Sequence, residues 1–306
     1  MTGTVLILGA SGVFGAAAAH AFAAAGWQVR RFDRKTGDMI RDATGADVIV
    51  NAMNPPAYHD WKTLLPQITA QVIAAAKATG ATVILPGNVY VSGDQVGPWD
   101  ENTPHRPVAR KGRIRAELEA AYRNAAAEGL RTIVLRGGDF IDPGNMKTIL
   151  DMVTLKGLAK GRITAMGRPD VRRAYAYIPD MTRAAVALAE MRDRLPPFAD
   201  VAFPGVTFSL NELKQALEMA TGKTLRIGNF PWWMMRLASP VWELARELSE
   251  MRYLYNTPHT LSGATFHRLL PDFRLTALDR IAAEEAVAMG AVPSGQVKIH
   301  PDQTVA

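Results

Sequence analysis

Three glycines near the N-terminus have the spacing of a phosphate-binding turn, Gly9-x-x-Gly12-x-x-Gly15. An apolar run over 5–8 predicts a buried parallel strand before them, and an alanine-rich run over 16–25 predicts a helix after them. Gly9 permits the tight turn, Gly12 lets the backbone approach a pyrophosphate, and Gly15 lets the helix pack closely on the strand. An ordinary glycine turn is the alternative, but strand and helix stand where a dinucleotide cradle requires them. The residues predicted to form the cradle are Gly9, Ser11, Gly12, Val13, Phe14 and Gly15.

A second predicted strand, over 27–32, ends at Asp33, about 20 residues beyond the glycine turn, where a ribose-binding carboxylate is expected. An acid at this position accepts hydrogen bonds from the ribose hydroxyls and repels a 2′-phosphate. The guanidinium of Arg34 has the opposite effect, because it can pair with that phosphate. An aspartate that only caps the turn after the strand is the alternative. The expected cofactor is therefore NAD or NADP, with NAD favoured.

Polar loops follow two further apolar strands, over 47–51 and 81–85. In an open parallel sheet, ligands bind beyond the carboxyl ends of the strands, so the loops 51–56 and 86–93 are candidates for the site. The residues predicted here to contact the cofactor are Asn51, Ala52 and Met53, and those predicted to contact the substrate are Asn54 and Tyr58.

Strand and helix patterns alternate to about residue 140 and then loosen. This alternation predicts an α/β protein with a doubly wound parallel sheet, a Rossmann fold. The link from Asp33 to the strand at 47–51 is too short for a full strand and helix, so this crossover is expected to be trimmed. The later helical patterns predict a smaller, mainly helical C-terminal cap that binds the substrate. The expected division is a dinucleotide-binding domain over 1–140 and 171–206 and a cap over 141–170 and 207–306.

The composition is typical of a folded protein, since 48% of the 306 residues are hydrophobic and the formal net charge is +6. Lysine and arginine are scattered rather than clustered, which disfavours nucleic acid as a partner and suits an anionic small molecule. No cysteine is present and the six histidines lack metal-ligand spacing, so no metal site is expected. The chain has no signal-peptide pattern and no apolar run of membrane-spanning length. We therefore expect a cytoplasmic protein without a membrane partner.

The segment 231–254 is predicted as a helix with a heavy apolar load. A helix that lies on a membrane needs basic residues along its polar face. Glu243, Glu247 and Glu250 make this face acidic instead. The helix is therefore expected in the core of the cap or at a subunit interface, with a second copy of the chain as the partner.

Several motifs together resemble the extended short-chain dehydrogenase/reductase family, in particular its NAD-dependent epimerase/dehydratase branch. The likeness extends from the N-terminus to about residue 206, with a looser match in the cap. The motifs that carry it are the glycine turn, Asp33, Gly37-Asp38-Met39, Val89-Tyr90, the Arg136-Gly-Gly turn and Tyr177-Ile-Pro-Asp180. The resemblance implies that Asp38 and Met39 contribute to an adenine pocket.

The sequence departs from this family in its chemistry. The family uses a Ser or Thr after one strand and a Tyr-x-x-x-Lys on the next helix, in which the tyrosine exchanges the proton. The serine position falls on Pro86, the tyrosine position on Lys111 and the lysine position on Arg115. Gly112 and Glu117 keep the register of the helix. The usual proton relay is therefore expected to be rewritten.

The resemblance implies substitute roles for the residues at these positions. Lys111 is predicted to act as the acid or base, and Arg115 to hold the nicotinamide ribose without exchanging protons. Asn88 and Tyr90 are the nearest polar candidates for orienting a substrate carbonyl, and Pro86 is predicted to contact the cofactor. The alternative is that Lys111 and Arg115 are solvated basic residues at the start of a helix.

Arg173 lies four residues before Tyr177, where the family's pattern has an anion-contacting arginine. Together with Arg168 and Arg172 it is predicted to grip a phosphate or carboxylate of the substrate. A solvated basic turn is the alternative.

One literal Tyr-x-x-x-Lys does occur, at Tyr58 and Lys62, and it is predicted not to be the catalytic pair. Pro56 disfavours a helix that spans both residues, so the two side chains would not share a helical face. Lys62 is expected at the start of the next helix.

Two functions fit these patterns. The first is an NAD(P)-dependent oxidoreductase or epimerase/dehydratase that acts on a small polar or anionic substrate with an altered relay. The second is a non-catalytic NAD(P)-binding sensor or partner protein that kept the cradle and lost the relay. A proton donor near the reacting atom would separate the two.

Overall fold

Eleven strands and ten helices alternate along the part of the chain that the computed structural model describes, residues 3–35, 37–55 and 59–293. The strands are β1 (Thr4–Leu8), β2 (Gln28–Arg31), β3 (Val48–Asn51), β4 (Thr82–Gly87), β5 (Thr132–Arg136), β6 (Asp139–Ile141), β7 (Arg162–Ala165), β8 (Arg173–Tyr177), β9 (Phe198–Ala202), β10 (Val206–Phe208) and β11 (Arg226–Asn229). The helices are α1 (Val13–Ala24), α2 (Met39–Ala43), α3 (Trp61–Thr79), α4 (Arg110–Ala126), α5 (Ile178–Glu190), α6 (Leu210–Thr221), α7 (Trp232–Ala238), α8 (Glu243–Glu250), α9 (Ala264–Leu269) and α10 (Leu278–Ala288). Short 3₁₀ turns cover Val89–Ser92, Leu158–Lys160, Arg192–Arg194 and Arg252–Asn256, and a π-helical turn covers Leu150–Thr154.

Six strands form one parallel sheet in the order β2-β1-β3-β4-β5-β9. Its central strands are runs of β-branched and aliphatic residues that are buried on both faces, as in Val48-Ile49-Val50. The doubly wound parallel sheet is therefore confirmed. Between β2 and β3 the described residues form only the short helix α2, so the crossover is trimmed as expected.

Apolar side chains of the sheet and of the helices beside it form a continuous core. Leu6, Ile49 and Val83 of the strands pack with Val72 of α3 and Tyr122 of α4. Burial of such side chains contributes about 1.5–3 kcal/mol each, which fixes the helices against the sheet. The carboxyl ends of β1 and β3 consequently lie level, with Leu8 opposite Asn51.

The chain divides into two compact units, and their bounds differ from the expected ones. The first unit comprises Met1–Gly93, Asp100–Arg136 and Met181–Phe203, and the second comprises Asp94–Trp99, Gly137–Asp180 and Pro204–Ala306. Residues 171–180, expected in the dinucleotide-binding domain, belong to the second unit because β8 is the central strand of a separate sheet, β10-β8-β6. The second unit also contains the parallel pair β7 and β11 and a core around α6 and α10.

The helix expected over 231–254 is two helices, α7 and α8, with a break at Pro240. Pro240 has no N–H to donate along a helix, and it disfavours helical backbone at the residue before it. Trp233 and Leu237 are 67% and 73% exposed, so their expected place in the core of the cap is wrong, whereas the subunit interface stays a prediction. None of the described helices has the length and apolar character needed to cross a membrane.

A buried arginine at the end of β5 joins three segments of the first unit. The Arg136 guanidinium donates to both carboxylate oxygens of Glu119 on α4, at 3.1 and 2.7 Å, and to both of Asp200 on β9, at 3.2 and 2.6 Å. It also donates to the carbonyl oxygen of Asn88, at 2.7 Å. Burial raises the pKa of Asp200, and the Arg136 charge opposes that rise. One cation therefore fixes α4, β9 and the loop after β4 relative to one another.

Replacing Arg136 by Met should lower the free energy of unfolding by about 3–5 kcal/mol, because Glu119 and Asp200 would stay buried without their cation. Urea denaturation measures the loss. Arg113→Met is the matched control, since that arginine is exposed and donates to the Val108 carbonyl. A loss for Arg136→Met no larger than that of the control would contradict this role.

Candidate active site

The glycine turn between β1 and α1 is closed by backbone contacts. The Gly12 N–H donates to the Gly9 carbonyl at 3.0 Å, and the Ala16 N–H donates to the Gly12 carbonyl at 2.9 Å. Gly12 is the N-cap of α1, and no side chain of the described residues caps this end of the helix. The positive end of the α1 dipole therefore lies at an exposed turn, which favours an anion.

The three glycines have different physical reasons to be glycine. Gly9 has φ +77°, and a Cβ there would lie 2.6 Å from the Ala52 carbonyl oxygen. A Cβ on Gly15 would lie 2.2 Å from the Gly9 carbonyl oxygen, whereas one on Gly12 would lie 3.3 Å from that atom. Gly9 and Gly15 therefore shape the turn, and Gly12 leaves its exposed side clear. Around them Ser11 is exposed, Val13 is half-buried and Phe14 is buried.

Asp33 caps the turn that follows β2, which is the alternative role named for it in the sequence analysis. Asp33 Oδ1 accepts from the Lys35 N–H at 2.9 Å, and both Asp33 and Arg34 are exposed. Asp38 is the N-cap of α2 and accepts from the Arg41 N–H at 3.1 Å, while Met39 is buried in the core. Contacts of these four residues with a cofactor stay predictions.

Asn51 fixes the loop that leaves β3. It is 5% exposed, and its Nδ2 donates to the Tyr122 hydroxyl at 3.1 Å while its Oδ1 accepts from the Met53 N–H at 3.3 Å. Burial raises the pKa of Tyr122 to about 12, so its hydroxyl keeps its proton at neutral pH. Ala52 donates to the Leu8 carbonyl of β1 at 3.0 Å, which holds this loop beside the glycine turn.

Arg115 and Asn54, predicted separately from the sequence, are in contact. The Arg115 Nη2 donates to Asn54 Oδ1 at 2.9 Å, and the guanidinium lies 4.8 Å from the centroid of the Trp61 ring. The Trp61 Nε1 donates to the Pro55 carbonyl at 3.3 Å. A half-buried arginine that stacks on an aromatic ring and bonds to an amide is not a solvated side chain.

Lys111 lies in the first turn of α4 and is only 1% exposed. The next residue, Gly112, packs against the turn at 89–92, where a Cβ would lie 2.4 Å from the Tyr90 carbonyl oxygen. Asn88 Oδ1 caps that turn by accepting from the Tyr90 N–H at 3.0 Å. The alternative of two solvated basic residues at the helix start is therefore wrong. The catalytic roles of these residues stay predictions.

The structure corrects the sequence-based interpretation of Glu117 and Pro86. The acidic residue of α4 with a structural role is Glu119, which binds Arg136, whereas Glu117 is exposed. Helical spacing could have found it, because Glu119 follows Arg115 by one turn. Pro86 lies inside β4 opposite Leu135. Tyr58 lies outside the described residues, and Lys62 is in the first turn of α3 as expected.

His105, Glu119 and Asp200 bring one possible ligand atom each within 4.8 Å of the others. The Arg136 guanidinium binds both of these carboxylates, so an organic cation already lies between them and balances one of their two charges. The arrangement is an ion-pair network that sequence patterns did not indicate, since its members come from four separate segments.

Arg173 lies on β8 in the second unit, in a cleft with aromatic walls. Its Nη1 donates to Asp139 at 2.7 Å and its Nη2 to the Tyr175 hydroxyl, and its guanidinium lies 4.8 Å from the Tyr255 ring centroid. The residues that line the cleft are Thr154, Thr164, Met166, Gly167, Arg168, Val171, Arg173, Tyr175, Leu210 and Tyr255.

The prediction that Arg168, Arg172 and Arg173 together bind an anion is wrong for Arg172. Arg172 does not line this cleft and instead bonds to Glu212 and to the Thr207 carbonyl. Arg168 lines the cleft, is exposed and pairs with Asp170. Arg172 lies just before β8 and is held by Glu212 and the Thr207 carbonyl, whereas Arg173 is the first residue of the strand.

The comparisons with known proteins agree with this fold and motif set. Residues 5–201 match the model of the NAD dependent epimerase/dehydratase family. The chain belongs to this family. No curated protein sequence matches it significantly.

Several solved structures share the fold of this chain. MoeE5 in complex with UDP-glucose and NAD has a TM-score of 0.75 at 17% identity, over 94% of this chain and 99% of that one. UDP-glucose 4-epimerase from Brucella ovis in complex with NAD has a TM-score of 0.72 at 16% identity, over 94% and 99%. UDP-glucuronic acid 4-epimerase from Bacillus cereus in complex with NAD has a TM-score of 0.72 at 16% identity, over 94% and 98%. At these identities the likeness concerns the fold.

Gly15→Ala should lower the free energy of unfolding by roughly 1–3 kcal/mol, because the added methyl group meets the Gly9 carbonyl oxygen and the backbone must move. Gly12→Ala is the matched control, with an expected loss below about 1 kcal/mol at an exposed N-cap. Equal losses in the two variants, measured by urea denaturation, would mean that the turn does not need its close approach at Gly15.

Proposed function

We propose that the chain binds NAD at the glycine turn and is an oxidoreductase of the epimerase/dehydratase kind, in which Lys111 transfers the proton. The observation that carries this proposal is the 1% exposure of Lys111 on α4, one helical turn before Arg115, whose guanidinium is held by Asn54 and Trp61. An enclosed lysine and a fixed arginine stand at the positions where the family has its tyrosine and lysine.

The residues of the first unit fit a dinucleotide. The exposed turn at Gly12 and the uncapped start of α1 suit a pyrophosphate, which would contact the backbone from Ser11 to Phe14. Asp33 would bind the ribose hydroxyls beside the turn, with Asp38 and Met39 near the adenine. Asn51, Ala52, Met53 and Pro86 would line the sheet edge, and Arg115 would hold the second ribose. Solved structures with the same fold contain NAD, which supports this assignment.

The residues around Lys111 divide the chemistry between them. NAD, when bound, supplies a hydride acceptor. A lysine Nζ can donate a proton as an ammonium group or accept one as an amine, whereas Arg115 stays charged and contributes position and positive potential. Asn88 and Tyr90, fixed by the capped turn at 89–92, would orient the oxygen of the substrate.

The substrate is proposed to be small and polar or anionic. The cleft of the second unit supports this, because it offers the cations Arg168 and Arg173 and two tyrosine rings. That MoeE5 has been solved with UDP-glucose and with UDP-glucuronic acid makes UDP-sugars the natural first compounds to test.

A non-catalytic NAD-binding sensor is the second candidate. It is favoured by Pro86, which places an imino acid without hydroxyl where the family has its serine. In that case NAD binding would persist without turnover of any substrate.

Native protein should bind NAD at least as tightly as NADP, because the Asp33 carboxylate repels an added 2′-phosphate, and Gly12→Val should abolish binding of both. A branched side chain at Gly12 would occupy the space that a pyrophosphate needs, while the fold is kept. Isothermal calorimetry measures the affinities, and circular dichroism checks the fold. A clear preference for NADP would mean that Arg34 decides the selectivity, and unchanged affinity in Gly12→Val would place the cofactor elsewhere.

Lys111→Met should lower kcat/KM by ~10²-fold or more while NAD still binds, because Met keeps the shape of the enclosed stem and removes the transferable proton. Turnover is followed as NAD reduction or epimer formation with UDP-glucose and UDP-glucuronic acid. Lys62→Met, on the exposed first turn of α3, is the control and should keep most of the activity, as should Tyr58→Phe. Losses of this size in both control variants would assign the relay to Tyr58 and Lys62 instead.

A further inference from the structure

Three buried carboxyl groups of the second unit interact electrostatically. Asp142 follows β6, Asp151 lies in the π-helical turn Leu150–Thr154, and Glu285 lies on α10. They are 5%, 2% and 0% exposed. The charged groups that act on Glu285 are Asp151, Asp142 and Glu284, all of them acids. Buried acids on which no cation of the described residues acts must be neutralised in another way.

The hydrogen bonds around Asp151 and Glu285 leave three oxygens without a donor. Asp151 Oδ2 accepts from the Thr148 N–H at 2.9 Å and from the Thr148 hydroxyl at 2.7 Å. Among the described residues, Asp151 Oδ1 and both Glu285 carboxylate oxygens have no donor. The two side chains are nevertheless in hydrogen-bond contact with each other. Two carboxylates can form such a bond only when one of them carries a proton.

We propose that Asp151 and Glu285 share one proton in a carboxyl–carboxylate hydrogen bond, which fastens the π-helical turn to α10 and positions Thr154 in the cleft beside Arg173. Thr154 is the last residue of that turn, and it lines the cleft. The effect on ligand binding rests on the proposed function, because that function assigns the substrate to this cleft. The shared proton itself does not depend on it.

A metal ion is the other way to neutralise buried acids, and the geometry disfavours it. An ion such as calcium or magnesium needs several oxygens close together. In the part of the chain that the structure describes, Asp142, Asp151 and Glu285 do not converge within 4.8 Å of one another as the ligands of one ion would. A proton needs only the two oxygens that are already in contact.

The charged side chains on the elements around this pair are engaged with other partners. On α10, Glu284 accepts from the Tyr177 hydroxyl and from Arg280. On α6, which packs against α10, Lys214 pairs with Glu218, and Glu212 pairs with Arg172. Burial and the neighbouring acids raise the pKa of Glu285 to about 9, and burial also raises that of Asp142. The proton on Glu285 is therefore present at neutral pH.

The sign of the pH effect follows from proton binding in the two states. The pKa of Glu285 has its ordinary value of 4.5 in the unfolded chain and is about 9 in the folded protein. Between these values the folded protein holds a proton that the unfolded chain has released, so stability falls as pH rises. The contribution is complete below about pH 4.5 and is lost through about pH 9.

The test compares native protein with Glu285→Gln, whose amide donates to Asp151 in place of the shared proton. The equilibrium constant for unfolding of the native protein, relative to that of the variant, should rise roughly tenfold per pH unit from about pH 5 to about pH 9. Glu190→Gln is the control, since this exposed residue ends α5, and it should follow the native curve. Infrared spectra at pH 7 should show a neutral carboxyl band in native and control proteins that Glu285→Gln lacks.

Identical pH slopes in native protein and Glu285→Gln, or the absence of a neutral carboxyl band that depends on Glu285, would overturn the proposal. If Glu285→Gln does not fold, Asp151→Asn serves instead, because its amide donates in the reverse direction. Stabilisation of native protein by calcium or manganese at pH 8, lost in the variant, would replace the proton by a metal ion and overturn it as well. Because these measurements use neither NAD nor substrate, a failure of the proposed function leaves their result intact.

Discussion

The ion-pair network of Arg136 is the interaction on which the rest of the first unit depends. Its guanidinium is 3% exposed and binds two carboxylates that come from α4 and β9. Burying three charges costs several kcal/mol each unless their geometry is good, so this arrangement tolerates few alternatives. The same guanidinium holds the Asn88 carbonyl. The turn at 89–92 and the start of α4, which carry the candidate site residues, are therefore placed by one buried cation.

The start of α4 is held close to the turn at 89–92. Gly112 lets the helix approach the Tyr90 carbonyl, since a Cβ there would lie 2.4 Å from its oxygen. Lys111 and Arg115 then lie one turn apart with like charges, which is unfavourable on an ordinary helix face. Arg115 offsets this cost by stacking on Trp61 and bonding to Asn54. A positive face that is held this firmly suits an anionic ligand better than bulk water.

Local patterns sufficed to predict the first unit, because buried parallel strands are continuous apolar runs and the glycine turn has a fixed spacing. They failed where long-range pairing or packing decides. No property of 173–177 alone shows that β8 pairs with β6 and β10 rather than with the large sheet. The apolar pattern over 231–254 predicts one helix in the core of the cap or at a subunit interface, whereas the helix breaks at Pro240 and Trp233 is exposed. Proximity in the sequence groups Arg172 with Arg173, whereas Arg172 precedes β8 and bonds to Glu212.

Buried acids occur in both units, and the two units neutralise them by different means. In the first, Glu119 and Asp200 share one arginine, which cannot lose its proton in a protein, so that network keeps its cation at every pH at which the protein folds. In the second, we infer that Asp151 and Glu285 are matched by a proton, which the solvent can remove. An arginine keeps its positive charge, but its large side chain must be buried. A proton occupies no volume, so it suits the tight junction of a π-helical turn with α10, but it ties the geometry of that turn to pH. The segment that carries Thr154 can therefore respond to conditions that leave the α4 region unchanged.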